Sequence, residues 1–316
     1  MGAGAVAAGT RTDEETRAGK RGKKPLSDRA KAERRTGWLL CAPAVIAMLA
    51  VTGYPILYAL WLSLPKFDLR FPDDKEFVGL SNYGEVLSSS VWWNDLFNTV
   101  FITVISVALE LTLGMIIALV MHRAIFGRGA VRTSVLIPYG IVTVVAAYGF
   151  FYAFSSTAGF VPDLLNLEQD PFASRWGSFL VIILTEVWKT TPFMALLLLA
   201  GLSLVPDELH EAAKVDGASA WQRFWRITVP LMKPAILVAL LFRTLDAFRV
   251  FDTVFIQTRG ANETETVSIL GYNVLIQRVN LGIGSAISVM IFICVLLIAF
   301  LFIRGFGART QEGRIG

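Results

Sequence analysis

Six apolar segments punctuate the chain, at about residues 38–64, 95–121, 134–154, 176–202, 234–256 and 283–303. Crossing a hydrocarbon core of about 30 Å takes roughly 20 helical residues, so each segment is long enough to span. A backbone in lipid must satisfy its own polar groups, which makes every span a helix. The polar stretch at about 203–233 carries a different pattern. Glu208, Glu211 and Ala212-Ala213 read as a helix start with acids in its first turn, where the positive end of the helix dipole favours them. Gly217 supplies the turn, because glycine takes the positive backbone dihedral at which one helix ends and another leaves steeply. Residues 218–228 then place Trp221, Phe224 and Trp225 on one apolar stripe at i, i+3, i+4 spacing, with Arg223 and Arg226 off it. Pro230 and Pro234 are expected to break this second helix before the fifth span. An amphipathic hairpin lying in the membrane interface has the same pattern.

Composition places the chain in a bilayer, with 54% hydrophobic and 17% charged residues over 316 positions. Orientation follows from Lys and Arg. The N-terminal tail holds ten, the loop after the second span three, the 203–233 loop four and the C-terminal tail three, whereas the alternate loops hold three, one and two. The positive-inside rule puts both termini and the 203–233 loop in the cytoplasm. These segments account for the net charge of +4, and no nucleic-acid partner is needed to explain it. The expected organisation is a basic, disordered cytoplasmic tail at 1–37, a membrane domain at 38–304 and a short cytoplasmic tail at 305–316. The first apolar stretch is too long for the roughly 7 to 15 apolar residues of a signal peptide and is expected to stay as a span. Cys41 and Cys294 fall inside predicted spans, which argues against a disulfide framework.

Two absences bound the chemistry. Of the two Gly-Lys pairs, Gly19-Lys20 is followed by Arg21 and Gly22-Lys23 by Lys24, so the sequence has no Gly-x-x-x-x-Gly-Lys-Ser/Thr loop to cradle a nucleotide phosphate. His122 and His210 stand apart from any Cys, His or Glu spacing that suits a metal or a catalytic base, and read as ordinary loop histidines. No nucleophile, base and orienter set is visible, so no enzymatic activity, cofactor or metal is expected of the chain itself.

Glu211-Ala212-Ala213, three residues, Gly217, nine residues and Ile227-Thr228-Val229-Pro230 resemble the EAA loop of ABC-importer permeases, with Val229 where Leu is usual. Leu40-Cys41-Ala42-Pro43, Tyr54-Pro55-Ile56, the 77–83 stretch ending Ser81-Asn82-Tyr83, Asn98-Thr99 and Leu136-Ile137-Pro138 are similar to landmarks of the sugar-importer branch. So are Phe251 to Thr258 and Gly282-Ile283-Gly284-Ser285-Ala286. Arg259-Gly260-Ala261 departs from that branch, which usually has Gly-Gly-Pro there. The resemblance runs from about residue 39 to 302. It implies an all-α integral membrane protein of six transmembrane helices with the type I ABC importer permease fold, multi-pass in the plasma membrane. It also implies partners: a second, homologous permease, two ATPase subunits that bind ATP and Mg, and an extracytoplasmic sugar-binding protein or lipoprotein. The residues it points to for coupling to the ATPase are Glu211, Ala212, Ala213, Asp216, Gly217, Ala218, Phe224, Ile227 and Pro230. A disaccharide such as trehalose or maltose is the implied cargo, and glycerol-phosphate is a near neighbour.

The path for that cargo is read from residue chemistry. Charges in a span face a bundle interior or a water-filled cavity. Here they are Glu110, Glu186, Lys189, Arg243, Asp246, Arg249 and Asp252. Glu186 with Lys189 and Arg243 with Asp246 are three apart and are expected to pair on one helix face. Such pairs join helices as readily as they touch ligand. A sugar needs aromatic faces and polar groups for its hydroxyls, which makes Tyr148, Tyr152, Trp188, Lys189, Thr190, Thr191, Phe193, Phe248, Asp252 and Asn273 the candidate lining. Pro192 adds a kink in the fourth span at the middle of that set. A secondary transporter also carries intramembrane charge, but it usually shows inverted repeats, and the EAA loop would have no role in it.

Overall fold

The computed structural model describes residues 28–123, 128–167 and 169–307 and divides into two compact units, 1–57 and 58–316. Among the described residues five helices are long and apolar enough to span, and a sharply bent pair makes a sixth if it is counted as one span. The tail expected at 1–37 lies outside the described residues up to position 27, and the C-terminal tail lies outside them from 308 on. Between residues 28 and 37 the chain is already helical, because α1 runs Asp28–Met48. The reason is local, since Ala, Lys, Arg and Glu dominate that stretch and are strong helix formers. A π turn at Leu49–Gly53 joins α1 to α2, Tyr54–Leu62.

Beyond residue 58 the chain packs around one helix. After a two-stranded antiparallel ribbon (β1, Pro65–Lys66; β2, Glu76–Phe77) come α3, Ser81–Ser88, and α4, Ser90–Arg123. The third crossing is α5, Arg128–Gly140, and α6, Thr143–Phe154, bent by 90° between residues 140 and 143. The sequence predicts one helix over 134–154. Gly140 is a poor helix former and Val142 is extended (ψ 135), so the apolar run continues while the backbone turns. The short α7, Val161–Leu165, leads to α8, Arg175–Leu202. In α8, 61% of the apolar window is buried against 17% for the last helix, which makes α8 the central one. Val107, Met115 and Ala118 of α4 pack with Met194, Ala195 and Leu198 of α8 in its lower half.

The next stretch holds α9, Asp207–Val215, and α10, Ala220–Arg223. A π turn at Phe224–Thr228 leads on into α11, Val229–Ala247. Pro230 and Pro234 therefore do not break the helix. A proline ring collides with the carbonyl four residues back, and the wide turn relieves this because Val229 N–H bonds Phe224 O, five residues back. Tyr54-Pro55 repeats the device, with Tyr54 N–H on Leu49 O.

The sequence predicts one continuous helix from 234 to 256. Instead, α11 stops at Ala247, and α12, Asp252–Gln257, starts afresh after four residues. A further apolar helix, α13, Val267–Tyr272, followed by a π turn at Asn273–Gln277, occupies what had read as an external loop. Its Val267, Ile269 and Leu270 are buried. The last span is α14, Leu281–Gly307.

Side-chain amides hold the external end together. Asn98 donates to the carbonyls of Glu263 (2.8 Å) and Glu265 (2.7 Å), and Thr99 Oγ1 accepts from Val267 N–H at 3.0 Å. Asn82 donates to the carbonyls of Ser63 (2.8 Å) and Pro65 (3.0 Å). A side chain at Gly282 would stand 2.5 Å from the Pro65 carbonyl, so the approach of α14 to the ribbon admits only hydrogen there.

Candidate functional site

The polar loop folds as its pattern predicts in its first half. Pro206 stands at the N-cap position of α9, Asp207 and Glu208 occupy the first turn, and Lys214 sits in the last, so both ends suit the helix dipole. Gly217 has φ +80, and the Ala218 N–H returns to the Ala213 carbonyl at 2.9 Å. The space around Gly217 is open; the backbone angle, not crowding, calls for glycine. Ser219 and Gln222 then form a reciprocal capping box at the start of α10. His210 Nε2 lies 3.4 Å from the Thr228 hydroxyl and ties α9 to the π turn.

Glu211, Ala212, Asp216 and Pro230 are exposed, and Ala213, Ala218, Phe224 and Ile227 are half-buried. Val215 at the end of α9 is 89% exposed, and Leu204, just after α8, is 83% exposed. Trp221, Phe224 and Trp225 contact one another, with centroids 5.2 to 6.1 Å apart. They form one wall of an apolar cavity of about 820 Å³ against Met115 and Leu119 of α4.

At membrane depth the charges gather differently from the expected pairs. Arg243 pairs with Asp246 as expected, yet its main partner is Glu110 on α4, held by two hydrogen bonds of 2.6 and 2.8 Å. Glu110 also accepts from the Thr190 hydroxyl at 2.7 Å. Glu186 does not pair with Lys189. It accepts from Thr253 and stands 4.0 Å from Arg243. Lys189 lies over the Tyr139 ring, 5.5 Å from its centroid. The reason is burial. Arg243 and Glu110 are 1% and 0% exposed, and a buried charge needs an opposite charge and hydrogen bonds more than a partner on its own helix face.

The candidate lining divides into two groups. Thr190 and Thr191 are buried, with their hydroxyls bonded to Glu186 O and Val187 O, and Phe248 is packed against Trp92 and Leu270 in an apolar cluster. Those three face the protein. Tyr148 and Tyr152 are exposed and stack at 6.2 Å, Trp188 is exposed beside Phe150, and Phe193 stacks on Tyr139 at 5.3 Å. Asn273 is half-buried and donates to Glu265 at 2.7 Å. Asp252 is exposed, and so are Asp246 (67%) and Arg249 around the break between α11 and α12. Exposed charges and irregular backbone at membrane depth are tolerated against water or another protein, not against lipid. Tyr139, Asp246 and Arg249 were absent from the candidate lining; the signal that could have found the last two is their spacing with Asp252 in steps of three.

Among the described residues, up to six membrane crossings, a helix–glycine–helix loop leading into the fifth and a polar break at membrane depth are the features of a multi-pass membrane protein with a polar path. The chain belongs to the family of binding-protein-dependent transport system inner membrane components, which matches residues 110–311. It is thus a multi-pass inner-membrane transport subunit and not an enzyme. Among similar proteins is the trehalose transport system permease protein SugA of Mycobacterium tuberculosis, 55% identical over 282 residues, covering 89% of this chain and 92% of that protein. The trehalose/maltose transport system permease protein MalF of Thermococcus litoralis is 39% identical over 284 residues, covering 86% and 94%. In structure, the chain is similar to a bacterial ABC transporter involved in alginate import, at TM-score 0.74 and 22% identity, covering 91% of this chain and 99% of that one. The type I ABC importer permease fold is the fold of this chain.

Proposed function

We propose that this chain is one of two related permeases in an ATP-driven importer of trehalose or a closely similar disaccharide. The sugar reading is supported by the 55% identity to a trehalose permease across nearly the whole chain. In this reading two ATPase subunits dock under this loop and its counterpart, an extracytoplasmic binding protein delivers the sugar, and the cargo passes between the permeases. The observation that carries the coupling role is the exposed loop itself: α9 turns at Gly217 into α10, which runs without interruption into α11. Glu211, Asp216 and the exposed Val215 would meet the ATPase, and Gly217 would set the angle at which α10 receives its push. The sugar would pass the face bearing Tyr148, Tyr152, Trp188 and Asp252, with aromatic rings for its apolar faces and carboxylates for its hydroxyls.

Uptake of radiolabelled trehalose in cells with and without the gene tests the reading. Loss in the deletion strain and in Gly217→Pro, with the complex still assembled, is the expected result. Undiminished uptake in both overturns the cargo, and undiminished uptake in Gly217→Pro alone overturns the coupling role.

A further inference from the structure

A buried ion pair is poor evidence of stability, because an apolar pair of similar volume often does as well or better. The Arg243 cluster therefore raises the question of what four helices gain by meeting at one guanidinium. Arg243 holds Glu110 of α4 with both arms of its fork and touches Asp246 on its own helix. A second buried carboxylate, Glu186 of α8, waits at 4.0 Å, beyond hydrogen-bond reach, held meanwhile by Thr253 of α12. Thr190 of α8 bonds the far side of Glu110. One cation thus has two buried carboxylate seats on two different helices, and it occupies the first.

Its position along the chain gives that choice a use. Residues 220–247 form an uninterrupted helical rod of about 40 Å at 1.5 Å per residue. The coupling loop is at one end of the rod. Arg243 is in the last turn at the other, immediately before the break that carries the exposed Arg249 and Asp252. A rod pushed at one end moves its far end by a similar amount, and packed interfaces answer such a push by jumping between discrete arrangements. We propose that Arg243 is a positioning residue that carries movement of the coupling loop to the helix break, passing its fork from Glu110 to Glu186 as α11 shifts against α4 and α8. Both seats are buried carboxyl groups, so neither arrangement leaves the guanidinium without a hydrogen-bond acceptor in the membrane. This role rests on the coupling reading above.

The test uses the whole transporter, this chain with its partner permease, ATPase and binding protein, in liposomes, and reads trehalose taken up per ATP hydrolysed. Glu110→Met/Arg243→Met replaces the charged contact with an apolar one of similar length. Glu186→Gln removes only the second seat. Both are expected to assemble and to lose at least tenfold in uptake per ATP. Arg243→Lys, which keeps the charge without the fork, should fall between them and wild type. Wild-type yield in the double Met variant, or in Glu186→Gln, overturns the proposal. So does failure of both the double variant and Arg243→Lys to assemble, which would assign the cluster to folding alone. Gly217→Pro run alongside keeps the readings apart: normal yield there breaks the coupling role of the loop, whereas normal yield in the Met pair with Gly217→Pro inactive breaks the role of Arg243.

Discussion

The two ends of the membrane domain are built on opposite rules. On the cytoplasmic side, continuous backbone does the work: α9 turns once at Gly217, and α10 flows through a π turn into α11. On the external side, short pieces are pinned by single side chains, Asn98 holding residues 263 and 265 and Asn82 holding 63 and 65. A continuous rod transmits displacement, whereas a pinned assembly resists it. The difference fits a molecule that is pushed from one side and must keep its shape on the other.

The sharpest way to break this comparison is at the turn. Gly217→Pro forces φ from +80 to near −65 and should reduce uptake at least a hundredfold, read by sugar accumulation alongside co-purification of the ATPase. Next is Arg243→Ala, which strands Glu110 in the protein interior. Breaking a buried pair costs about 3 to 5 kcal/mol, so a lowered unfolding temperature and loss of assembled complex are expected, and both should recover when Glu110→Met is added. Asn98→Leu sharpens the external half. It leaves two loop carbonyls without their donor, at about 1 to 3 kcal/mol each, and should lower thermal stability and loosen α13 in hydrogen exchange while leaving the cytoplasmic loop protected. The smallest effect belongs to the pair of the exposed Arg70 with the half-buried Asp68. Hydrogen bonds from the Arg70 side chain and backbone lower the Asp68 pKa from 3.8 to about 2. A carboxyl depressed in the folded state contributes above its ordinary range and loses that contribution as pH falls toward about 2. Arg70→Met should therefore leave uptake between pH 5 and 8 unchanged, and a drop there would mean the pair does more than hold its own loop.

The cytoplasmic half was the more legible in sequence, for a physical reason. Acids before Gly217, the Trp221–Phe224–Trp225 stripe and the spacing of Lys and Arg are local signals, and they fix α9, the turn and the topology. The prolines misled, because Pro230 and Pro234 read as breaks and a π turn absorbs them. The external half hid its logic in plain view. Asn82 and Asn98-Thr99 stood out as family landmarks, yet their meaning lies in partners up to 168 residues away. The same distance conceals the Glu110–Arg243 pair, whose members are 133 residues apart. Of the candidate lining, the exposed aromatics and Asp252 could be named by residue type, but nothing local to Thr190, Thr191 or Phe248 says that those three turn inward.

The π turn ahead of Pro230 also sets an angle. An ordinary helix advances about 100° with each residue, so a turn that takes in one extra residue rotates everything after it by about that amount. The azimuth at which α11 presents Arg243 to α4 is thereby fixed some 15 residues upstream, at Phe224–Thr228, beside the Gly217 turn. Removing a single residue from that turn would leave both ends of the rod chemically intact and put them out of phase.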